Sequence, residues 1–231
     1  MQAVILAGGQ GTRLAPLTHQ VPKPMIMVAG KPFLHHQLAL LKRQGITRLL
    51  ILVGYLGQRI MDYFEDGRWL GLQINYSVED EPLGTAGALK KAEPHLEEEF
   101  LLLYGDSYLP IDYQDVAKVF WTSGKRGLMV VFEDKDGSTM VRNNVALDGQ
   151  MTITSYEKDS LDKTLRYVEA GVLAFRREVM DLIPPHRGVS LEQEIFPLLI
   201  AQEQFLGYVT AQRFYDMGTP ERLDTLRRFL R

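Results

Sequence analysis

Cysteine is absent from the 231-residue sequence, which excludes a disulfide framework, a thiolate nucleophile and a zinc site built on cysteine ligands. The absence is compatible with a reducing compartment, and we predict a cytoplasmic protein. A basic leader and a long apolar run are also missing from the amino terminus, because the opening MQAVILAGG reads as a strand. We therefore predict neither a signal peptide nor a membrane span.

An excess of positive charge is lacking as well, since 26 Lys and Arg stand against 29 Asp and Glu, for a net charge of −3. Clusters of basic residues interleaved with aromatic residues are also missing from the sequence. Both absences argue against a nucleic-acid partner. A polyanionic ligand of this chain is therefore expected to be small and held in a local pocket.

The sequence does contain enough apolar residues for a full core, at 45% hydrophobic content, without help from a metal or a disulfide. Strand-like apolar runs alternate with helix-period segments through the first half, which is typical of an α/β layered fold with a mainly parallel sheet. There is no internal repeat or long linker, so residues 1–231 are predicted to form one domain. The predicted strands are 3–7, 48–54, 73–78, 101–104, 127–132, 151–156 and 168–175, with a hairpin turn at Asp148-Gly149, and the predicted helices are 57–65, 112–123, 190–202, 220–230 and one from Pro32 to Gly45.

A glycine-rich segment follows the first apolar run. Residues 8–25 read GGQGTRLAPLTHQVPKPM. Gly8, Gly9 and Gly11 lack the Cβ that would keep an anion away from the backbone, and their N–H groups can converge on one phosphate. Glycines in this pattern form a plain tight turn about as often as a ligand site. The segment matches neither the dinucleotide fingerprint nor the Walker A loop. The segment as a whole nevertheless favours a phosphate site.

Two basic residues add full positive charge to this segment. Arg13 offers a planar fork for bidentate phosphate contact, whereas Lys23 is a compact point charge suited to one oxygen. The prolines on either side of Lys23 hold the chain extended and restrict where its ammonium group points. Together these residues predict a polyphosphate ligand.

The complete segment closely resembles the signature of the sugar-1-phosphate nucleotidyltransferases, also called nucleoside-diphosphate-sugar pyrophosphorylases. The resemblance covers essentially the whole chain and is strongest to short bacterial D-glycero-D-manno-heptose 1-phosphate and mannose-1-phosphate guanylyltransferases. It implies a Rossmann-like, GT-A-like three-layer α/β fold around a central mixed, mainly parallel sheet. It also implies that about residues 1–112 bind the nucleotide and that about residues 113–231 bind the sugar phosphate.

The implied reaction joins a nucleoside triphosphate to a sugar 1-phosphate and releases pyrophosphate, as a step of nucleotide-sugar biosynthesis for cell-surface polysaccharide. The expected partners are GTP and a manno-configured sugar 1-phosphate, and the expected state is a monomer or small homo-oligomer. Because no β-helix or acetyltransferase segment follows the last predicted helix, a bifunctional enzyme is not expected. By the resemblance, Arg13 and Lys23 are catalytic, and the nucleotide-binding residues are Leu6, Gly8, Gly9, Gly11, Thr12, Arg13, Lys23, Glu79, Pro82, Gly84 and Thr85.

The preference for GTP depends on Glu79, in the segment EDEPLGTAGA that spans residues 79–88. A carboxylate can accept hydrogen bonds from both N1–H and the exocyclic amine of guanine, whereas uracil and thymine offer one imide N–H. By the resemblance, Gly84 lies against the base and the ribose. Uridylyltransferases with a similar acidic turn also exist, and Glu79 on its own could be a solvated turn residue.

Two aspartates are the predicted metal ligands. Asp106 directly follows the strand 101–104, at the edge where α/β proteins bind ligands, although an Asp there is as often a turn residue or a helix cap. Asp216 precedes the last helix, but Thr219 already occupies the cap position, which leaves Asp216 without a local structural role. The resemblance implies that both bind Mg²⁺, which prefers oxygen ligands and keeps several waters.

The predicted sugar-phosphate residues lie in the second half of the chain. An adjacent Glu-Lys pair on a surface hairpin is usually just solvated. By the resemblance, however, Lys158 grips the sugar phosphate, Glu157 and Glu169 accept hydrogen bonds from sugar hydroxyls, Gly171 leaves room for the sugar, and Asn144 matches a sugar-contacting position.

Three alternatives stay open at this point. The first is a uridylyl- or thymidylyltransferase acting on another sugar 1-phosphate. The second is a non-catalytic sugar-nucleotide sensor that uses the same pocket. The third is a glycosyltransferase of related topology, which is disfavoured because Asp106-Ser107-Tyr108 lacks the second Asp of a D-x-D metal motif.

Overall fold

Strands and helices alternate along the first half of the chain and follow a less regular order in the second. The computed structural model describes residues 1–185 and 187–231. The strands in chain order are β1 (Gln2–Ala7), β2 (Met27–Val28), β3 (Lys31–Pro32), β4 (Arg48–Val53), β5 (Gln73–Val78), β6 (Glu99–Tyr104), β7 (Ser107–Tyr108), β8 (Gly127–Phe132), β9 (Val145–Leu147), β10 (Ile153–Tyr156), β11 (Val168–Arg176), β12 (Phe205–Thr210) and β13 (Tyr215–Asp216). The α-helices are α1 (Phe33–Arg43), α2 (Gly57–Phe64), α3 (Gly84–Ala92), α4 (Tyr113–Ser123), α5 (Phe196–Ala201) and α6 (Pro220–Phe229).

The main sheet has seven strands in the order β12-β8-β11-β6-β1-β4-β5. Strands β6, β1, β4 and β5 are parallel to one another, and β12 is parallel to β8. Strand β11 is antiparallel to both of its neighbours, β6 and β8. The sheet is therefore mixed and mainly parallel, which confirms the predicted fold class.

Helices cover both faces of this sheet. Successive residues of β1 alternate between two apolar clusters, so that Ile5 packs with α1, α2, α4 and α6, whereas Val4 packs with α3 and α5. A strand covered on both faces is apolar at every position, and this explains why β1 and β4 read as continuous apolar runs. The result is the predicted three-layer arrangement of helix, sheet and helix. None of the helices in the two described ranges is long and apolar enough to cross a membrane.

The direction of β11 positions the functional residues of the second half. Because β11 runs against the other six strands, its amino end lies at the edge where β1, β4 and β6 end. Ligand sites of open α/β sheets lie outside the carboxyl ends of the strands. Glu169, near the start of β11, is thereby brought to the same edge as the glycine-rich segment.

A bulge in β11 makes room for a second contact at this edge. Between Glu169 and Leu173 the pairing of β11 with β8 shifts, and Gly171 has φ of 75°. A Cβ on Gly171 would lie 2.6 Å from the Cβ of Ser107 in β7. Glycine therefore allows β7 to pack closely against β11.

Several predicted boundaries were wrong. The predicted helix 190–202 is broken into a π-helical turn, Leu191–Ile195, and the short α5. The predicted strand 151–156 begins two residues later, since Met151 has φ of 62° and closes the hairpin turn. Strand β12 was missed, because Gly207 interrupts its apolar pattern. A Cβ there would lie 2.5 Å from a methyl group of Leu147.

We expect Gly171→Ala to lower the free energy of unfolding by about 2 kcal/mol or more, because alanine is strained at positive φ and its Cβ overlaps Ser107. Urea unfolding followed by circular dichroism measures the change. Gly149→Ala is the matched control, since a Cβ at Gly149 has no atom within 4 Å and should change the stability by less than about 0.5 kcal/mol. An equal loss in both variants would contradict this account of the bulge.

Candidate active site

Two adjoining cavities open at the edge where β1, β4 and β6 end. The larger has a volume of about 660 Å³ and the smaller about 520 Å³. The two cavities share part of their walls, so they form one continuous cleft with two compartments. The residues that line both are Arg13, Tyr104, Asp106, Lys158 and Glu192.

All of the residues predicted to bind a nucleotide line the larger cavity. The glycine-rich segment forms one wall, directly after β1. Gly11 has φ of 63° and begins a short 3₁₀ turn that carries Thr12 and Arg13, both of which are exposed. A Cβ on Gly11 would lie 3.0 Å from the methyl group of Thr18. The full set on this wall and its surroundings is Leu6, Gly8, Gly9, Gly11, Thr12, Arg13, Lys23, Glu79, Pro82, Gly84 and Thr85.

Glu79 lies across the end of β1 and is half-buried, not solvated in a turn. Its Oε2 accepts a hydrogen bond from the N–H of Leu83 at 3.1 Å. A Cβ on Gly8 or on Gly54 would fall 2.4 Å from its Oε1, so both glycines are needed for the carboxyl group to lie there. Burial raises the pKa of Glu79, against the lowering effects of the Leu83 N–H and Lys91.

Gly84 begins α3 with φ of 71°. Close approach of a ligand was the predicted reason for a glycine here, yet the closest approach is made by the chain itself. A Cβ on Gly84 would lie 2.5 Å from the carbonyl oxygen of Val189, which accepts a hydrogen bond from the N–H of Ala86 at 2.9 Å. Thr85 Oγ1 accepts from the N–H of Leu191 at 2.8 Å. The start of α3 is therefore fixed by the segment before α5.

Lys23 and Asp106 form an ion pair where the two cavities meet. Pro22 is extended, with φ of −63° and ψ of 145°, and it directs Lys23 toward the end of β6. Burial alone would raise the pKa of Asp106, but the Lys23 ammonium, the Ser107 hydroxyl and the Arg13 guanidinium hold it below its usual value. Asp106 is therefore ionised and already partly neutralised by lysine.

Asp216 lies beside Asp106 because β13 pairs with β7, with Asp216 opposite Ser107. Contrary to the prediction that Asp216 has no local structural role, its Oδ2 lies 3.2 Å from Arg222 Nη1, and its Oδ1 accepts from the Gly218 N–H. Burial raises the pKa of Asp216, and the Asp106 carboxylate raises it further, against the lowering effect of Arg222. The two carboxylates are thus close enough for the charge of Asp106 to affect the protonation of Asp216.

This pair of carboxylates fits Mg²⁺. Within the described residues there is no group of three or more His, Cys, Asp or Glu side chains that could enclose an ion. Mg²⁺ is commonly bound by one or two carboxylates together with substrate phosphates and water. Asp106 and Asp216 could therefore hold it in the presence of a bound phosphate, with the ion competing against Lys23 and Arg222.

Most of the predicted sugar-phosphate residues line the smaller cavity. Asn144 is buried, and its Oδ1 accepts a hydrogen bond from the N–H of Glu169 at 2.9 Å, so it orients the backbone there. Glu157 is the exception, because it follows the inward-facing Tyr156 at the end of β10 and points outward. Its exposed carboxylate accepts from Ser160 Oγ at 2.9 Å. The predicted residues on the cavity wall are Asn144, Lys158, Glu169 and Gly171.

Glu169 has an unusual environment for a carboxyl group. Its Oε2 accepts from the Tyr156 hydroxyl at 2.8 Å, while its buried Oε1 has no hydrogen-bond partner among the described residues. Burial, together with the nearby Glu192 carboxylate, raises its pKa to about 7, although Tyr156, Tyr104 and Lys158 act in the opposite direction. Glu169 therefore holds a proton up to near-neutral pH.

Two charged residues of the site were missed from the sequence. Glu192 reads as part of an acidic helix surface, but the π-helical turn directs it into the cleft, 4.0 Å from Lys158 Nζ. Arg222 reads as a residue of the last helix, and its partner Asp216 is visible only after folding. Apart from the charge of the side chain, nothing in the sequence around either residue indicates that it belongs to the site.

Comparisons with known proteins show the family to which the chain belongs. A family model described as nucleotidyl transferase matches residues 2–231. A mannose-1-phosphate guanylyltransferase of Mycobacterium tuberculosis is 34% identical over 224 residues, which are 96% of this chain and 62% of that protein. A D-glycero-alpha-D-manno-heptose 1-phosphate guanylyltransferase of Aneurinibacillus thermoaerophilus is 30% identical over 222 residues, which are 96% of this chain and 94% of that protein.

A solved structure described as HddC from Yersinia pseudotuberculosis complexed with GMP-PN superposes with a TM-score of 0.84 and 26% identity, over 100% of this chain and 99% of that one. Several of the curated relatives are longer, and the chain spans 55–62% of their length. The shared region therefore includes 87–96% of this chain but only part of those proteins.

The raised pKa of Glu169 predicts a pH-dependent stability. Its folded-state pKa of about 7 exceeds the ordinary 4.5, so the unfolded chain releases this proton first, and the native state loses stability as the pH rises from about 4.5 to about 7. The neutral variant Glu169→Gln should lack this loss, and its stability relative to the wild type should rise by roughly 2–3 kcal/mol over that range.

Urea unfolding at several pH values from 4.5 to 8 measures the effect. Glu157→Gln, which changes an exposed glutamate outside the cavity, is the matched control for the substitution itself. A constant difference between Glu169→Gln and the wild type would contradict the raised pKa, because it would show that Glu169 titrates in the folded protein as it does in the unfolded chain.

Proposed function

Because the chain belongs to the nucleotidyl transferase family, we propose that it transfers a nucleotidyl group from a nucleoside triphosphate to a sugar 1-phosphate and releases pyrophosphate. The observation that carries the proposal is the two-compartment cleft. A glycine-rich wall with Arg13 and Lys23 lines one compartment, Lys158 and Glu169 line the other, and Asp106 lies at their junction.

The larger cavity is the proposed nucleotide site, built mostly by residues 1–112. Arg13 and the backbone of the glycine-rich segment bind the triphosphate, since a converging set of N–H groups and a guanidinium fork suit phosphate oxygens. Glu79, Pro82, Gly84 and Thr85 surround the base. The half-buried Glu79 carboxylate, held by Leu83, is an acceptor for the N1–H and amine of guanine.

GTP is the favoured nucleotide, and a manno-configured sugar, heptose or mannose, is the favoured acceptor. The mannose-phosphate and heptose-phosphate guanylyltransferases described above support both choices. A uridylyl- or thymidylyltransferase acting on another sugar 1-phosphate is the alternative, because Glu79 can also accept the single imide N–H of uracil or thymine.

The proposed reaction needs no protein nucleophile. A phosphate oxygen of the sugar 1-phosphate, already ionised at neutral pH, attacks the α-phosphorus in line with the departing pyrophosphate. The protein therefore aligns two anions that repel each other and balances their charge. Arg13, which lines both compartments, is suited to contact the triphosphate on one side and the incoming phosphate on the other.

Lys23 has two partners in this scheme. Before substrate binds, it neutralises Asp106, and both side chains are largely buried. A phosphate at the junction is a competing partner for the ammonium group. Asp106 and Asp216 would then hold Mg²⁺, which when bound neutralises phosphate charge and orients phosphate oxygens.

Lys158 is the proposed anchor of the sugar 1-phosphate. Its side chain is 59% exposed, and it borders both compartments, so it can reach a phosphate that enters the cleft. Synthesis of a nucleotide sugar for cell-surface polysaccharide, in the cytoplasm and by a monomer or small homo-oligomer, completes the proposal.

Pyrophosphate release tests the proposal. GTP, UTP, dTTP and ATP are each combined with mannose, glucose, N-acetylmuramate and D-glycero-D-manno-heptose 1-phosphates in the presence of Mg²⁺. We expect turnover to be fastest with GTP and a manno-configured sugar. Faster turnover with UTP or dTTP would show that Glu79 is wrongly assigned, and tight nucleotide binding without any turnover would favour a sensor.

Arg13→Ala should lower kcat by about 10²–10³-fold for every pair of substrates alike, because Arg13 stabilises phosphate charge that all substrates share. Steady-state kinetics with two sugar 1-phosphates measure the change. Arg68→Ala is the matched control, since Arg68 pairs with Asp66 on the surface and is 89% exposed. A changed sugar preference in Arg13→Ala would contradict its role at the triphosphate.

A further inference from the structure

Glu169 and Glu192 both line the smaller cavity and belong to different elements. Glu169 comes from the amino end of β11 and Glu192 from the π-helical turn before α5. Both line the cavity, and the side chain of Glu192 is only 15% exposed. Two carboxyl groups therefore meet in a largely desolvated compartment.

Polar groups on three elements hold Glu192 in this position. Ser190 Oγ donates to its Oε2 at 2.8 Å, Thr85 Oγ1 at the start of α3 lies 3.4 Å from the same oxygen, and the Tyr104 hydroxyl at the end of β6 lies 3.4 Å from its Oε1. The carboxylate is thus oriented before any ligand arrives, as a recognition group must be.

The two carboxyl groups differ in protonation. Glu169 has a buried Oε1 without a partner among the described residues, and such a group keeps its proton when another carboxylate is close. Glu192, with hydroxyl donors around it and Lys158 Nζ at 4.0 Å, carries the negative charge of the pair. That lysine is more than half exposed and is the proposed partner of the substrate phosphate.

We propose that Glu192 determines substrate specificity together with Glu169, and that the pair accepts sugar 1-phosphates with an uncharged sugar and rejects those with a carboxylate on the sugar. This inference rests on the proposed function of the cleft. Glu192 accepts hydrogen bonds from sugar hydroxyls, and the protonated Glu169 can donate to or accept from a neighbouring hydroxyl.

Rejection of acidic sugars follows from desolvation and charge. A uronate carboxylate in this compartment would face Glu192 at short range in a low-dielectric site, and like charges so placed strongly disfavour binding. Lys158, whose Nζ lies 4.0 Å from Glu192, is already required by the phosphate. The other cations that line this cavity have other partners: Arg13 serves the triphosphate, Arg222 pairs with Asp216, and Arg142 donates to the carbonyl oxygen of Asp159. An uncharged hydroxymethyl group meets no such repulsion.

A purely structural role for Glu192 makes a different prediction. If the carboxylate served only to join Thr85 and Ser190, its replacement would loosen the contact between α3 and the π-helical turn. Stability would fall and turnover with every sugar would fall together. The ratio between an uncharged and an acidic sugar would then stay the same, so this ratio distinguishes the two roles.

The test compares mannose 1-phosphate with mannuronate 1-phosphate, at saturating GTP, in the wild type and in Glu192→Gln. We expect the wild type to favour mannose 1-phosphate more than about 100-fold in kcat/KM. Glu192→Gln should reduce this preference at least about tenfold, because an amide keeps the shape but removes the charge. Because Glu192 also borders the nucleotide cavity and lies beside Thr85, any change in the KM for GTP should be the same with both sugar 1-phosphates and should leave their ratio unaffected.

Glu194→Gln is the matched control. Glu194 lies on the same turn but pairs with Arg187 outside the cleft, and its replacement should leave the sugar preference unchanged. An unchanged preference in Glu192→Gln, with turnover retained, would overturn the inference while the proposed function stands.

Absence of turnover with all nucleotides in the wild type would instead refute the proposed function. Calorimetric affinities of the two sugar 1-phosphates then test the inference on its own. Tighter binding of mannose 1-phosphate by the wild type, with the difference reduced in Glu192→Gln, would support it, and equal binding of both sugars or of neither would overturn it.

Discussion

The site depends on the short antiparallel pairing between β7 and β13, to which each strand contributes two residues. Strand β13 pairs with β7, and this pairing brings the carboxyl-terminal segment across the end of β6. Asp216 thereby comes beside Asp106, and two carboxylates share a poorly solvated junction. Such an arrangement is tolerated only because Lys23 and Arg222 bring two positive charges to the same place. A polyphosphate and a cation that bind at this junction would compete with the two ion pairs, Lys23–Asp106 and Arg222–Asp216.

The reversed direction of β11 is the second determinant. A strand parallel to the others would have its amino end, and Glu169 with it, at the far edge of the sheet, away from the glycine-rich segment. Because β11 is antiparallel, residues from both halves of the chain meet in one cleft. The two halves contribute to the same sheet, and β11 pairs with β6 of the first half. We accordingly propose that the two halves are parts of one domain.

Much of this could be predicted from local patterns. Continuous apolar runs indicated the central strands, because burial on both faces requires them. The glycine-rich segment indicated a ligand site by composition and by resemblance, and it lines the cleft, while its phosphate role stays a prediction. Other features depend on contacts between distant residues. The outward direction of Glu157 follows from strand alternation beyond Tyr156, the ion pair of Arg222 from the β7–β13 ladder, and the inward direction of Glu192 from a turn wider than an α-helix. Such contacts cannot be predicted from the residue type or from its neighbours in the sequence.

The π-helical turn at Leu191–Ile195 has a consequence for how the wall of the smaller cavity can change. Such a turn contains one residue more than an α-helical turn would. Loss of a single residue there would restore regular winding and rotate the side chains before it by about 100° relative to α5, which would withdraw the Glu192 carboxylate from the cleft. The glycine-rich wall, which belongs to another part of the chain, would be untouched. A one-residue deletion would thus change the wall of the smaller cavity while the glycine-rich wall keeps its position.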